Sequence, residues 1–149
     1  MIGWPLVGPM VCLNGKKSLK LHFTVLTIVY CAGIFWLSSG ASPVDPTPLF
    51  PGQDKLVHIA VYGGLAALVS TGIRRSGKPA SFAKQFWAPA LFATAYGIFD
   101  EFHQLFVPHR FCEAGDMLAN AAGALLIQFA LCYGVWRLNS GRNCHEETP

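Results

Sequence analysis

The sequence predicts an all-α fold, a polytopic membrane protein built as a bundle of four transmembrane helices. Of its 149 residues, 52% are hydrophobic and only 13% are charged, and the mean hydropathy is +0.39. Soluble domains typically have about 25% charged residues. Charge is also absent from four long segments, and a helix needs about 20 mostly apolar residues to cross a bilayer. This composition disfavours a soluble domain, and the abundant aromatic residues disfavour a disordered chain.

The four helices are predicted at about residues 21–39, 54–73, 86–107 and 116–136, as one membrane domain spanning 21–136. The stretches 21–37 and 56–73 contain no charged residue. The third helix reaches a spanning length only if it includes the polar run 100–107, and we expect Pro108 to end it because proline breaks helices. Residues 1–20 and 137–149 are predicted to be cytoplasmic tails.

The first apolar segment has an alternative interpretation as a signal peptide. Three lysines precede it, and Ser39-Gly40-Ala41 resembles a cleavage site. The apolar run is long for a signal peptide, and about twenty residues stand before it, so we favour a membrane-spanning helix. Cleavage would leave a protein of three helices.

The distribution of charge predicts the orientation in the membrane. With four crossings, the side that holds both termini carries nine Lys or Arg and two Glu, whereas the other side carries two basic and six acidic residues. Lys and Arg in short loops stay in the cytoplasm. We therefore expect a bacterial inner-membrane protein with both termini in the cytoplasm. Because topology explains the basic residues, we expect membrane lipids and not nucleic acid as partners.

Polar residues gather at the predicted outer ends of helices 2, 3 and 4. Near the start of helix 2 an Asp is followed four residues later by a His, and near the start of helix 4 an Asp is followed by an Asn at the same spacing. Residues spaced i, i+4 share a helix face, and ionisable groups in membrane segments normally face the bundle interior. We therefore predict a polar pocket that opens outward. Its residues are Asp54, His58, Glu101, Gln104, Arg110, Asp116 and Asn120.

The two helix starts also match each other as Asp-x-Leu-x-(His/Asn), at residues 54–58 and 116–120. Such an internal match is typical of two helical hairpins in parallel orientation. Small residues concentrate on the same two helices, among them Gly63, Gly64 and Gly123, and they favour close helix packing.

The residue types in the pocket indicate acid–base chemistry and anion binding. Carboxylates can act as acid or base, and an imidazole can relay protons near neutral pH. A planar guanidinium suits a phosphate or carboxylate. The candidate catalytic residues are Asp54, His58, Glu101 and Asp116. The candidate ligand-binding residues are Gln104, Arg110 and Asn120.

A metal site was considered as well, because Asp, His and Glu are competent ligands. The sequence has no H-E-x-x-H or comparable dense ligand pattern, and its five cysteines form no C-x-x-C pair. We therefore expect no metal and no other cofactor.

Four motifs occur in a fixed order, namely Asp54-Lys55-x-x-His58, Glu101-x-x-Gln104, Pro108-His109-Arg110 and Asp116-x-x-x-Asn120-x-x-Gly123. In this combination the chain resembles the VanZ-like family, named for the teicoplanin-resistance protein of bacteria, over about residues 20–136. Relatives often have Pro-Gly-Arg where this chain has Pro-His-Arg. The resemblance implies a small inner-membrane protein of the cell envelope. The founding member is linked to reduced glycopeptide susceptibility, and no settled reaction comes with the family.

Three functions are compatible with these features. The first is binding of, or action on, an envelope lipid or cell-wall precursor in the outward pocket, with a link to glycopeptide susceptibility implied by the resemblance. The second is a small proton or cation transporter or channel component, disfavoured because the polar residues crowd one end. The third is a structural protein in which Arg110 pairs with Asp116 and Glu101 and the amides connect the helices. Catalysis and oligomeric state stay open.

Overall fold

The computed structural model describes residues 16–40, 50–76, 80–108 and 110–143, and the side chains of this part from residue 21 to 134. These residues form four α-helices and no strand: α1 (Lys16–Ser39), α2 (Gln53–Arg75), α3 (Phe82–Gln104) and α4 (Ala114–Asn143). The predicted all-helical class is confirmed. Everything predicted for residues 1–15 and 144–149 lies outside the described residues.

Three of the described helices contain a segment long and apolar enough to cross a membrane, at Leu21–Ser39, Gln53–Arg75 and Ala114–Gly134. Helix α3 is not among these three. It has 23 residues, and at 1.5 Å per residue it is about 34 Å long, close to the thickness of the hydrocarbon core. The chain is therefore a membrane protein with a helical bundle, in which α3 differs from the other helices by its polar C-terminal turns.

Helix α3 begins and ends earlier than the sequence predicts. Ser81 caps its N-terminus, where the Oγ atom accepts a hydrogen bond from the Lys84 backbone nitrogen at 3.3 Å. The helix ends at Gln104, and the backbone then makes i to i−3 bonds, including Val107 N to Gln104 O at 3.1 Å. A residue before proline avoids the helical conformation. Pro108 therefore ends the helix one turn earlier than residue 107.

The first and last helices, α1 and α4, are longer than predicted. Helix α1 begins at Lys16 instead of residue 21, and α4 extends to Asn143 instead of residue 136. The prediction followed the apolar runs alone, whereas lysine, arginine and other straight-chain residues are good helix formers and continue a helix beyond the apolar part.

Helix α2 lies at the centre of the bundle and contacts the other three helices. Its closest neighbour is α4. A Cβ atom on Gly63 would lie 3.2 Å from the Gly123 carbonyl oxygen, and one on Gly123 would lie 2.8 Å from the Ile59 Cα atom. These glycines allow the two backbones to approach, which is the usual role of small residues in membrane helix packing.

The buried core is narrow, and much of the bundle surface is apolar. Tyr62, Leu65 and Ala66 of α2 pack with Ala93 of α3 and Ala124 of α4. Large hydrophobic side chains point outward instead, and extensive exposed apolar surface marks contact with a membrane. Examples are Trp36, Leu91, Leu126 and Phe129, which are 77%, 63%, 60% and 62% exposed.

Candidate functional site

Four predicted site residues meet between α2, α3 and α4. The His58 Nδ1 atom lies 2.8 Å from Asn120 Oδ1 and 3.8 Å from Glu101 Oε1, and its Nε2 atom lies 3.8 Å from Asp116 Oδ2. Glu101 and Asn120 are fully buried, and Asp116 is almost so. We call His58, Glu101, Asp116 and Asn120 the buried cluster. It lies where α2 and α4 begin and α3 ends, and we call this end of the bundle the polar end.

Both oxygens of the Glu101 carboxylate accept hydrogen bonds from protein groups. Gln104 Nε2 donates to Oε1 at 3.4 Å, and the Glu113 backbone nitrogen donates to Oε2 at 3.3 Å. Gln104 is itself buried. In the structure the Gln104 amide therefore orients the Glu101 carboxylate. Its ligand-binding role stays a prediction.

Lys55, Asp54 and Glu113 form a charged group beside the buried cluster, which we call the charged rim. The Lys55 Nζ atom lies 2.9 Å from Asp54 Oδ2, 3.3 Å from Glu113 Oε2 and 3.1 Å from Asp116 Oδ1. The Asp54 side chain is half exposed, and Lys55 connects it to the cluster. The site predicted from sequence does not include Lys55 and Glu113, although the predicted topology leaves Lys55 as one of only two basic residues among six acids on its side, and a lone cation attracts acids.

A further carboxylate at the polar end, that of Asp100, is not among the site residues predicted from the sequence. Ser38 Oγ of α1 donates to its Oδ1 atom at 2.6 Å, and the Tyr62 hydroxyl of α2 donates to Oδ2 at 3.0 Å. Asp100 thus joins three helices. The i, i+4, i+8 series of Asp54, His58 and Tyr62 along α2 is the sequence signal that could have identified its partner.

Arg110 is not joined to the cluster by any contact between described residues. Its side chain is half buried, and its buried Nε atom has no hydrogen-bond partner within the described part of the chain. The structural interpretation in which Arg110 pairs with Asp116 and Glu101 is wrong in this respect, because the cation beside Asp116 is Lys55. Arg110 lies in the connection after α3, and it forms no ion pair with another described residue.

The predicted outward pocket does not coincide with the cavity that the structure describes. An open cavity of about 510 Å³ lies between α1 and α2. Its lining is almost wholly apolar and includes Phe23, Leu26 and Leu68, and none of the seven predicted site residues contributes to it. The cluster is a closely packed polar interior with an exposed rim at Lys55.

A second, smaller group of buried polar residues lies toward the other end of the bundle. Ser70 and Gln128 are fully buried, Gln128 Nε2 donates to the Ala66 carbonyl at 3.2 Å, and Arg74 Nε donates to Ser70 Oγ at 3.3 Å. On α4, the buried residues between Asn120 and Gln128 are Gly123 and Ala124. Among the described residues, an apolar layer therefore separates the two polar groups.

Comparison with known proteins identifies the family of the chain. The model of the VanZ/LLP1 family matches residues 21–137, a range that includes the buried cluster, its rim and Arg110. No curated protein and no solved structure matches the chain.

Proposed function

The chain belongs to the VanZ/LLP1 family, and from this premise we propose that it binds an envelope lipid or lipid-linked cell-wall precursor at the polar end of the bundle. The observation that carries the proposal is the buried cluster itself. Glu101 is fully buried and His58 stands 3.8 Å from it, on a different helix. Hydrogen bonds between membrane helices contribute only about 0.6 kcal/mol on average. Burying a carboxylate costs more than such bonds return, which favours a role beyond packing.

The rim of the polar end has the charges that an anionic headgroup requires. Lys55 is partly exposed, with 41% of its side-chain surface accessible, and the Nε atom of Arg110 has no hydrogen-bond partner among the described residues. A guanidinium binds phosphate and carboxylate groups through two parallel hydrogen bonds. We therefore assign headgroup binding to Arg110, with Gln104 and Asn120 as the predicted amide contacts.

Apolar residues beside Arg110 fit the acyl part of such a ligand. Phe106 precedes the arginine by four residues and Phe111 follows it directly, and they are 85% and 78% exposed. Aromatic and aliphatic groups at this level of a membrane protein contact acyl chains and headgroup boundaries. A lipid with its headgroup at Arg110 would thus place its chains along exposed phenylalanines.

The cluster supplies groups that can exchange protons with a bound headgroup. His58 lies between the carboxylates of Glu101 and Asp116, and general acid–base catalysis requires such a group within hydrogen-bonding reach of its substrate. We propose that Asp54, His58, Glu101 and Asp116 form the acid–base part of the site.

The proposal places the polar end at the outer face of the bacterial inner membrane, with both termini in the cytoplasm. With four crossings, nine of the eleven basic residues would lie on the opposite side, and the positive-inside rule then supports this orientation. If the ligand is a cell-wall precursor, the proposal extends to glycopeptide susceptibility, which the family resemblance implies. The apolar layer on α2 and α4 supports lipid binding over a proton or cation path through one subunit.

Native mass spectrometry of the purified full chain tests the proposal. We expect the wild-type protein to retain a phospholipid or precursor lipid, and the Arg110→Gln variant to lose most of it. The matched control is Arg75→Gln, since Arg75 is an exposed arginine at the other end of the bundle, and its variant should retain the lipid. Equal retention by both variants, or no lipid on the wild-type protein, contradicts the proposal.

A further inference from the structure

We propose that His58, Glu101 and Asp116 bind a divalent transition-metal ion of the Zn²⁺ or Mn²⁺ class, a site that the sequence did not lead us to expect. One ligand atom from each of these residues lies within 4.8 Å of the other two. The residues come from three different helices and are largely buried. The inference goes beyond lipid binding, because the three ligands meet inside the bundle whether or not a lipid is present.

The separations within the cluster are too long for hydrogen bonds and suit a shared ion. His58 Nε2 lies 3.8 Å from Asp116 Oδ2, and one ligand atom from each of the three residues lies within 4.8 Å of the other two. Hydrogen bonds of this kind require about 2.7–3.2 Å. Two ligands about 2.1 Å from one tetrahedral zinc ion lie about 3.4 Å apart, and a wider ligand–metal–ligand angle lengthens that separation. The side chains therefore need to move only slightly to coordinate one ion.

The hydrogen bond between His58 and Asn120 leaves the imidazole ready to coordinate. An amide oxygen only accepts hydrogen bonds, so the 2.8 Å contact of Asn120 Oδ1 requires the proton on His58 Nδ1. In the neutral ring Nε2 then has a free lone pair, and it faces Asp116 Oδ2, another acceptor. Metal-binding histidines usually donate their other ring N–H in this manner. A cation between the two acceptors would turn their repulsion into attraction.

A second set of acids, Asp54, Glu113 and Asp116, also satisfies the spacing for a metal, but it already surrounds a cation. The Lys55 ammonium lies within 3.3 Å of all three carboxylates. Glu101 has no such partner: within the described residues it has no ion pair with a lysine or arginine. A buried carboxylate needs a compensating charge or a proton, and a metal ion would supply the charge.

An independent sign of a missing group is the amide nitrogen of Asn120. This atom is buried and has no hydrogen-bond acceptor among the described residues, although the same amide contacts His58 through its oxygen. Metal sites with three protein ligands commonly keep a water or substrate oxygen in a further position. Such an oxygen would satisfy the Asn120 amide nitrogen if it reached the side of Asn120 that faces Gly97 of α3, where an added Cβ atom would lie 2.7 Å from that nitrogen.

The ligand types indicate which ions bind. Imidazole favours Zn²⁺ and neighbouring transition ions, whereas all-oxygen sites favour Mg²⁺ and Ca²⁺. One imidazole with two carboxylates therefore favours Zn²⁺ or Mn²⁺ over the other two ions. Glu101 would be oriented for coordination by Gln104 and the Glu113 backbone, as carboxylate ligands in metal sites generally are.

Metal analysis of the full chain in detergent tests the site. The protein is treated with a chelator, incubated separately with Zn²⁺, Mn²⁺, Mg²⁺ and Ca²⁺, and freed of unbound metal before its content is measured. We expect about one Zn²⁺ or Mn²⁺ per chain, a strong loss in Glu101→Gln and Asp116→Asn, and full retention in the control Glu113→Gln, which changes an exposed carboxylate outside the three ligands. Zn²⁺ or Mn²⁺ should also raise the thermal midpoint of the wild-type protein, because a ligand stabilises the state that binds it.

The site is refuted if the wild-type protein retains neither Zn²⁺ nor Mn²⁺, a measurement that requires no variant to fold. Equal metal retention in Glu101→Gln, Asp116→Asn and the wild-type protein would also overturn it. Lipid content, measured on the same samples by native mass spectrometry, distinguishes this failure from failure of the proposed function. If the wild-type protein binds lipid but no metal, only the metal site is refuted. If it binds metal but no lipid, only the proposed lipid binding is refuted.

Discussion

His58 on α2 and Asn120 on α4 face each other with Nδ1 and Oδ1 2.8 Å apart, and they occupy equivalent positions in the two Asp-x-Leu-x-(His/Asn) segments. The next contacts along the same helices follow in the same direction. Gly63 lies against Gly123, and the Gln128 amide reaches the Ala66 carbonyl. Helices α2 and α4 therefore run parallel, and the sequence match corresponds to a structural pairing.

This pairing predicts an energetic coupling between His58 and Asn120. In a double-mutant cycle with His58→Ala and Asn120→Ala, we expect the two changes in unfolding free energy to be non-additive by about 0.6 kcal/mol, and by no more than about 1.7 kcal/mol. The measurement is reversible unfolding of the detergent-solubilised protein. Additive effects would show that the hydrogen bond contributes nothing to stability.

The cluster was predictable from sequence because charge in an apolar segment is costly and must find partners. Asp54, His58, Asp116 and Asn120 are located by i, i+4 spacing at the predicted outer ends of helices 2 and 4, and Glu101 by its place in the polar run that ends the third helix. Spacing on one helix does not reveal which side chains of other helices approach it. Lys55, Glu113 and the Ser38 contact of Asp100 depend on helix rotation, so they required the structure.

The close approach of α2 and α4 predicts that Gly123→Ala destabilises the bundle. The added Cβ would lie 2.8 Å from the Ile59 Cα atom, and backbone atoms cannot move aside as a side chain can. Over-packing of this kind costs about 1–3 kcal/mol. Thermal unfolding followed by size-exclusion chromatography measures the loss.

The control for this change is Gly134→Ala on the same helix. No atom lies within 4 Å of a Cβ built on Gly134, and alanine is the better helix former. We expect its thermal midpoint to be unchanged or slightly raised. A similar loss in both variants would mean that helix contact at Gly123 is not the cause.

The hydrogen bond from Ser38 to Asp100 predicts that the last turn of α1 stabilises the bundle. Ser38 Oγ donates to the Asp100 carboxylate from a different helix, whereas the hydrogen bond that Ser39 Oγ makes within the described residues goes to the Phe35 carbonyl of its own helix. We expect Ser38→Ala to lower the unfolding free energy by about 0.6–1 kcal/mol and Ser39→Ala to have a smaller effect. Paired thermal melts of the two variants measure the difference, and equal effects would contradict a special role for the bond between α1 and α3.

The charged rim predicts unequal effects of removing its members. Lys55→Gln should destabilise the protein clearly, because buried Asp116 would lose its ammonium partner, whereas Asp54→Asn should have little effect because exposed ion pairs contribute little. Stability measured in low and high salt separates the two interactions, since salt screens exposed charges more than buried ones. If Asp54→Asn proves the more harmful variant, Lys55 serves the outer acids and not Asp116.

Whether α3 crosses the membrane decides how many times the chain crosses the bilayer and on which side its C-terminus lies. Helix α3 is not among the three helices that qualify as spans by length and apolar content, yet its buried Glu101 meets side chains of α2 and α4 inside the bundle. If α3 crosses the membrane, the chain crosses four times and its C-terminus lies on the same side as Lys84.

We expect a fluorescent reporter fused after Pro149 to be active in the cytoplasm. A reporter active only outside the cytoplasm, inserted at residue 112 between α3 and α4, should also be active. Activity of an outside reporter fused after Pro149 would mean three crossings, and it would place α3 at the membrane surface.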